Sequence, residues 1–124
     1  MIDFNNANYL KLKRVSDDTF SSMLMATFID GESIISSYRT IRDGVVFTNK
    51  RIIAINVQGI TGKKKDFTSM PYSKIQVYSV ETAGTFDLDS ELVLWFSGVG
   101  KVKFEFTSGS NVSEICKLIS QFVL

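Results

Sequence analysis

The sequence predicts an α+β, mainly β fold: a barrel of seven antiparallel strands with a C-terminal capping helix and an N-terminal helical extension. The extension covers residues 1–32 and the barrel domain 33–124. Three observations carry this reading. From Ser33 onward apolar residues recur at every second position, the period of a strand with one buried face. Short turns separate these stretches and leave no room for the crossover helices that parallel strands require. The chain then closes on one amphipathic stripe of helical period.

In the extension, Phe20, Met23, Leu24, Thr27 and Phe28 fall at i, i+3, i+4, i+7 and i+8, so one helix face is apolar. Ser16 or Asp17 can cap its start, and Gly31 is placed to end it in the left-handed conformation that costs glycine least. Residues 33–42 read as the first strand of the barrel. Asp43-Gly44 reads as the tight turn of a hairpin whose second strand is 45–48. Strand three is 51–57 and strand four 63–69, broken by Pro71, which has no amide proton for a central ladder. Strand five is 73–81, the polar stretch 82–90 is a longer connection, and strand six is 91–96. Strand seven, 101–107, alternates cleanly: Val102, Phe104 and Phe106 on one face, Lys101, Lys103, Glu105 and Thr107 on the other. In the last segment Val112, Ile115, Cys116, Ile119, Phe122 and Val123 form the helical stripe, and Asn111 with Glu114 has the spacing of a capping box.

Composition bounds function. A chain of 124 residues makes one domain with a core large enough to fold unaided. Fourteen Lys and Arg balance thirteen Asp and Glu, so no overall field attracts nucleic acid, and no nucleic-acid partner is expected. The N-terminal stretch lacks the basic and apolar regions of a signal peptide, and no apolar run is long enough to span a bilayer. With one cysteine, Cys116, no internal disulfide forms, which suits a reducing, cytoplasmic compartment. There is no histidine to activate that thiol or serve as a general base, so no enzyme is expected.

The stretches IDGESI (29–34), YRTIRD (38–43), VFTNKR (46–51), QGITGKK (58–64), MPYSKI (70–75) and YSVETAGTFDLDSELVLWF (78–96) resemble, in order and spacing, a bacterial pleckstrin-homology-like (PH-like) family. The resemblance runs from about Ile29 to the C-terminus. It implies the PH-like barrel, a small cytoplasmic domain of unassigned biochemical role, and relatives that tend towards ring-like homo-oligomers. It brings no catalytic residues with it.

The residues offer three constellations. Asp87, Asp89 and Glu91 alternate as hard-metal ligands do, but lack the further oxygens and the glycine of a calcium loop, so they read as a solvated turn and no metal or cofactor is expected. Gly98-Val99-Gly100-Lys101 and Gly59-Ile60-Thr61-Gly62-Lys63 have neither the spacing nor the following helix of a phosphate loop and read as hairpin turns. Lys63, Lys64 and Lys65, with Arg42, Lys101 and Lys103, are candidates for anion or lipid contact. This is the alternative reading, a peripheral membrane or phosphoinositide binder through a basic loop cluster.

The favoured reading rests on apolar excess. Residues 45–47, 52–55 and 93–96 are apolar on both faces of their strands, more than a barrel with one wet side needs. Further copies of the chain are expected to cover what the N-terminal helix leaves exposed, with Met23, Met25, Phe28, Val46, Ile52 and Trp95 as candidate interface residues. The expected function is that of a non-enzymatic, self-associating binding or scaffold module whose partner, apart from itself, the residues do not name.

Overall fold

The structure, a computed structural model, describes residues 1–85 and 88–124. Phe86 and Asp87, and with them one member of the acidic cluster, lie outside the described residues. The described residues contain eight strands and two α-helices, in chain order β1 (Tyr9–Val15), α1 (Asp18–Leu24), β2 (Ile34–Thr40), β3 (Asp43–Thr48), β4 (Arg51–Gln58), β5 (Lys64–Pro71), β6 (Ile75–Glu81), β7 (Ser90–Phe96), β8 (Gly100–Phe106) and α2 (Val112–Val123). β2 to β8 are the seven strands that the period-two pattern predicts, and β1 is an addition to them. The chain divides into two compact units, Met1–Ile2 with Arg14–Pro71, and Asp3–Lys13 with Tyr72–Leu124.

In the first unit, β2 to β5 form an antiparallel meander in sequence order. Helix α1 lies on one face of this sheet, where Phe20 and Leu24 pack with Val46, Ile53 and Ile55, and Val15, Met23, Phe28, Ile34 and Val57 rim the cluster. Each large side chain buried there contributes about 1.5–3 kcal/mol relative to exposure. The opposite side chains of the central strands, Val45, Phe47, Ile52 and Ala54, are also fully buried. Both faces of β3 and β4 are therefore dry within a single chain, and the apolar excess of these strands is core.

Two local predictions in this unit are corrected. The β2–β3 turn is Ile41-Arg42, because Thr40 pairs with Asp43 and Arg39 with Gly44, so Asp43-Gly44 opens β3. Asp43 is held there by accepting a hydrogen bond from the Val57 amide at 2.8 Å. Gly31 does adopt a left-handed φ of 81°, but it closes a later turn, since α1 ends at Leu24 and a 3-10 turn (Met25–Thr27) follows. There the Thr27 hydroxyl donates to the Leu24 carbonyl at 2.7 Å and Phe28 turns to extended backbone. At the helix start Ser16, rather than Asp17, supplies the side-chain bond, accepting from the Asp18 amide at 3.3 Å.

In the second unit, β6, β7 and β8 are an antiparallel meander, and the N-terminal strand β1 pairs with β8 in parallel, Tyr9 opposite Phe104 and Leu12 opposite Phe106. The Thr107 amide continues this pairing by donating to the Leu12 carbonyl at 2.9 Å. Inward-facing Leu92, Leu94, Val102, Phe104 and Phe106 are fully buried, and Tyr9 meets Phe104 edge to face with ring centroids 5.6 Å apart. Helix α2 buries Val112, Ile115 and Ile119, as its stripe predicts, and packs against β6 and β7. Phe122 stacks on Tyr72 at 4.7 Å, and the Ser120 and Tyr78 hydroxyls hydrogen-bond at 2.7 Å. Asn111 caps α2, its side-chain oxygen accepting from the Glu114 amide at 3.2 Å.

Candidate functional site

Strand pairing in the second unit sets out the face of β6, β7 and β8 that points away from the buried side chains. Val77 stands beside Trp95 and Trp95 beside Lys101; in the next row Ser79, Val93 and Lys103 align; in the third Glu81, Glu91 and Glu105. The face thus runs from an apolar end to a charged one. At the charged end the Lys103 ammonium is 3.0 Å from Glu91 Oε1, and Lys11 is ion-paired with Asp89 and lies 3.9 Å from Glu105. The hydrogen bond and charge of Glu91 hold the Lys103 pKa above its ordinary value.

Among the described residues the apolar end has no ion pair. Val77, Ser79, Val93, Trp95 and Lys101 line an open groove, with Val77 63 % and Trp95 48 % exposed. An indole and a valine side by side on an open sheet face are the kind of contiguous apolar surface that marks contact with another macromolecule.

The remaining residues predicted for an interface fall elsewhere. Val46 and Ile52 are fully buried in the first unit and offer nothing to a partner. Their strands carry apolar residues on both faces because α1 covers one face and the other is also core, a distinction that a run such as RIIAIN does not reveal. Met23 and Phe28 are half-buried against the α1 cluster, whereas Met25, on the 3-10 turn, is 63 % exposed close to exposed Ile29. Sequence reasoning missed Val77, because a regular strand would place it on the same face as buried Ile75, and the register irregularity between the two that turns it outward leaves no mark in the sequence.

The predicted basic positions separate. Arg42, Lys63, Lys64 and Lys65 lie at one end of the first unit's sheet, where the β2–β3 and β4–β5 connections emerge together. All four are exposed. Lys101 and Lys103 stand on β8 in the second unit, on the face just described. Both glycine-bearing segments are strand connections, as predicted. Among the described residues no group of three His, Cys, Asp or Glu is arranged to hold a metal ion. Cys116 is a half-buried free thiol on α2. No helix among the described residues is long and apolar enough to cross a membrane.

At the opposite end of the first unit's sheet, a polar knot fixes the approach to α1. Arg51 Nε and Nη2 donate to Glu32 Oε2 and Oε1, each at 2.9 Å; Nη2 also donates to the Thr27 carbonyl at 2.8 Å and Nη1 to Ser69 Oγ at 2.9 Å. Burial pushes the Glu32 pKa up, but hydrogen bonds from Arg51, Thr48 and the Ile29 amide, with the Arg51 charge, outweigh it and leave the carboxyl below its ordinary 4.5. Arg51 thus ties Glu32, Thr27 and Ser69 together.

The chain is similar in sequence and fold to known proteins. The chain is 40 % identical over 117 residues to the uncharacterized protein YjqA of Bacillus subtilis, covering 93 % of this chain and 90 % of that one. Among solved structures it is similar to a DUF1696 family protein with a pleckstrin-homology domain from Shewanella loihica, with TM-score 0.81 and 44 % identity over 93 % of this chain and 99 % of that one. It is also similar to a pleckstrin homology domain from Shewanella amazonensis, with TM-score 0.67 and 40 % identity over 96 % and 93 %. The bacterial PH domain family matches residues 3–123, so the expected resemblance extends through the N-terminal segment, and the chain belongs to that family.

Proposed function

We propose that this chain is a non-catalytic, cytoplasmic binding module that assembles with further copies of itself through the apolar end of the β6–β7–β8 face. The observation that carries the reading is Trp95, half exposed beside Val77 and Val93 in an otherwise well-packed sheet. Full burial of such an aromatic contributes about 2–3 kcal/mol, and aromatic anchors of this kind dominate contacts between proteins. The charged rows that border the groove supply a polar rim with both signs, suited to fixing the register of a like subunit. Met25 and Ile29 expose a second apolar surface on the other unit. Two unlike surfaces of this sort suit a head-to-tail contact, which closes into a ring when its rotation allows.

Light scattering after size exclusion tests the reading. The wild-type chain is expected at a multiple of its own mass at micromolar concentration. Trp95→Glu is expected to release single chains that keep the native circular dichroism spectrum. A wild-type protein that runs as a monomer at every micromolar concentration overturns the proposal.

A further inference from the structure

The chain contains two Asp-Gly dipeptides, Asp30-Gly31 and Asp43-Gly44. Such a pair is open to a rearrangement that needs only water, because glycine sets no side chain in the way as its own amide nitrogen turns on the aspartyl carboxyl. The nitrogen bonds to Cγ, and the carboxyl hydroxyl leaves with the amide proton as water, which closes a cyclic imide. Water then reopens the ring. Opening at the side-chain carbonyl restores aspartate; opening at the main-chain carbonyl gives isoaspartate, whose backbone runs through the side chain and is one methylene longer.

The fold closes this route at Asp43-Gly44. The Asp43 carboxylate accepts from the Val57 amide at 2.8 Å and from the Asn56 side chain at 3.3 Å. Gly44 is buried in the sheet between Arg39 and Ile55, and the Phe20 ring fills the space beside it. The carboxyl and the amide nitrogen can meet only if this part of the sheet opens, which costs a packed core its pairing.

The route stays open at Asp30-Gly31. Both residues are exposed at the corners of the turn 29–32, which the Glu32 amide closes by donating to the Ile29 carbonyl at 3.0 Å. Among the described residues no hydrogen bond or ion pair engages the Asp30 carboxyl or the Gly31 amide. Gly31 has a φ of 81° and open space on the side where a Cβ would stand.

The position of the turn gives the change an effect. Across it the Glu32 carboxylate accepts from the Ile29 amide at 3.2 Å while holding Arg51, and the Gly31 carbonyl accepts from the Asn49 side chain at 2.9 Å. A backbone lengthened between Ile29 and Gly31 moves these anchors apart, and a carboxylate that loses its partner in a half-buried site destabilises the fold.

We infer that Asp30 is a site of spontaneous isoaspartate formation, that the fold spares Asp43, and that the altered chain holds Glu32 and Arg51 together less firmly. This goes beyond the self-association proposed above, and its test reads position 30 directly, so either can fail alone.

The test ages the full chain at neutral pH and physiological temperature over weeks, beside a sample kept unfolded in urea. Peptide fragmentation by electron transfer, which distinguishes isoaspartate from aspartate, and methyl transfer by an isoaspartyl methyltransferase read the product. In the folded chain isoaspartate is expected to rise at position 30 and to stay at background at position 43; in the unfolded sample it should rise at both. Asp30→Glu keeps the charge but cannot close the same ring, so it should lose the methylation that position 30 contributes. Aged wild type should also melt at a lower temperature than fresh protein, whereas Asp30→Glu aged in parallel should not. The inference is overturned if the folded chain forms no isoaspartate at position 30 in the time the unfolded chain takes to form it, if positions 30 and 43 react equally in the folded chain, or if aged wild type carrying the isomer melts as the fresh protein does.

Discussion

The ring of Phe20 occupies the space that a side chain at position 44 would need: a Cβ on Gly44 would lie 2.3 Å from Phe20 Cζ and 2.6 Å from Cε2. The contact joins α1 to β3 at the centre of the first unit's core, and it explains a glycine inside a strand, where glycine ordinarily weakens pairing.

Gly44→Ala is therefore expected to destabilise the protein by about 1–3 kcal/mol, because the ring must leave a packed position. Combining it with Phe20→Leu should cost less than the sum of the two single changes, as for any pair in direct contact. Urea melts of the four proteins in that cycle check this, and strict additivity would contradict the contact.

Loss of Arg51 strands a buried carboxylate. Arg51→Ala is expected to cost about 3 kcal/mol, and Arg51→Lys should recover little, since an ammonium cannot reproduce the paired bonds to Glu32 together with those to Thr27 and Ser69.

The same pair sets a pH dependence. Glu32 titrates below its ordinary 4.5 in the folded protein, so its stabilising contribution is present above that value and disappears as the pH falls through the lower folded value. Wild type should thus lose stability more steeply than Glu32→Gln on acidification below about pH 4.5. Parallel pH profiles for the two proteins would show that the carboxylate does not prefer its folded environment.

Ser37 behaves in the opposite way. Its fully buried Oγ is the one buried side-chain polar atom with no hydrogen-bond partner among the described residues. Ser37→Ala removes that unmet group while leaving the backbone pairing with Val46, so a gain of about 1 kcal/mol is expected in denaturant unfolding.

The strands that alternate, and α2 with its cap, were legible because burial on one face writes a period into the sequence. Strand β1 was not, for a geometric reason. Its inward residues, Tyr9 and Leu12, are three apart while their partners Phe104 and Phe106 are two apart, and Lys11 absorbs the difference with a φ of 57°. The bulge erases the alternation that would announce a strand, and parallel pairing with β8 has no local turn to signal it. The Ile41-Arg42 turn was displaced for a related reason: Asp-Gly is the stronger turn signal, but Phe20 claims the glycine from a distance. At the candidate site Trp95 stood out by type, whereas its exposure beside Val77, against the burial of Val46 and Ile52, depends on which strand face each element covers. That is a tertiary property with no local mark.

The pairing of β1 with β8 also orders the birth of the molecule. Tyr9 leaves the ribosome early, and its partner Phe104 only when nearly all the intervening chain has been made. The β2–β5 meander and α1 draw on neighbouring sequence and are free to close meanwhile. The first strand must wait with its ladder open, so nascent chains halted before β8 should present an unpaired edge, the feature most prone to wrong association.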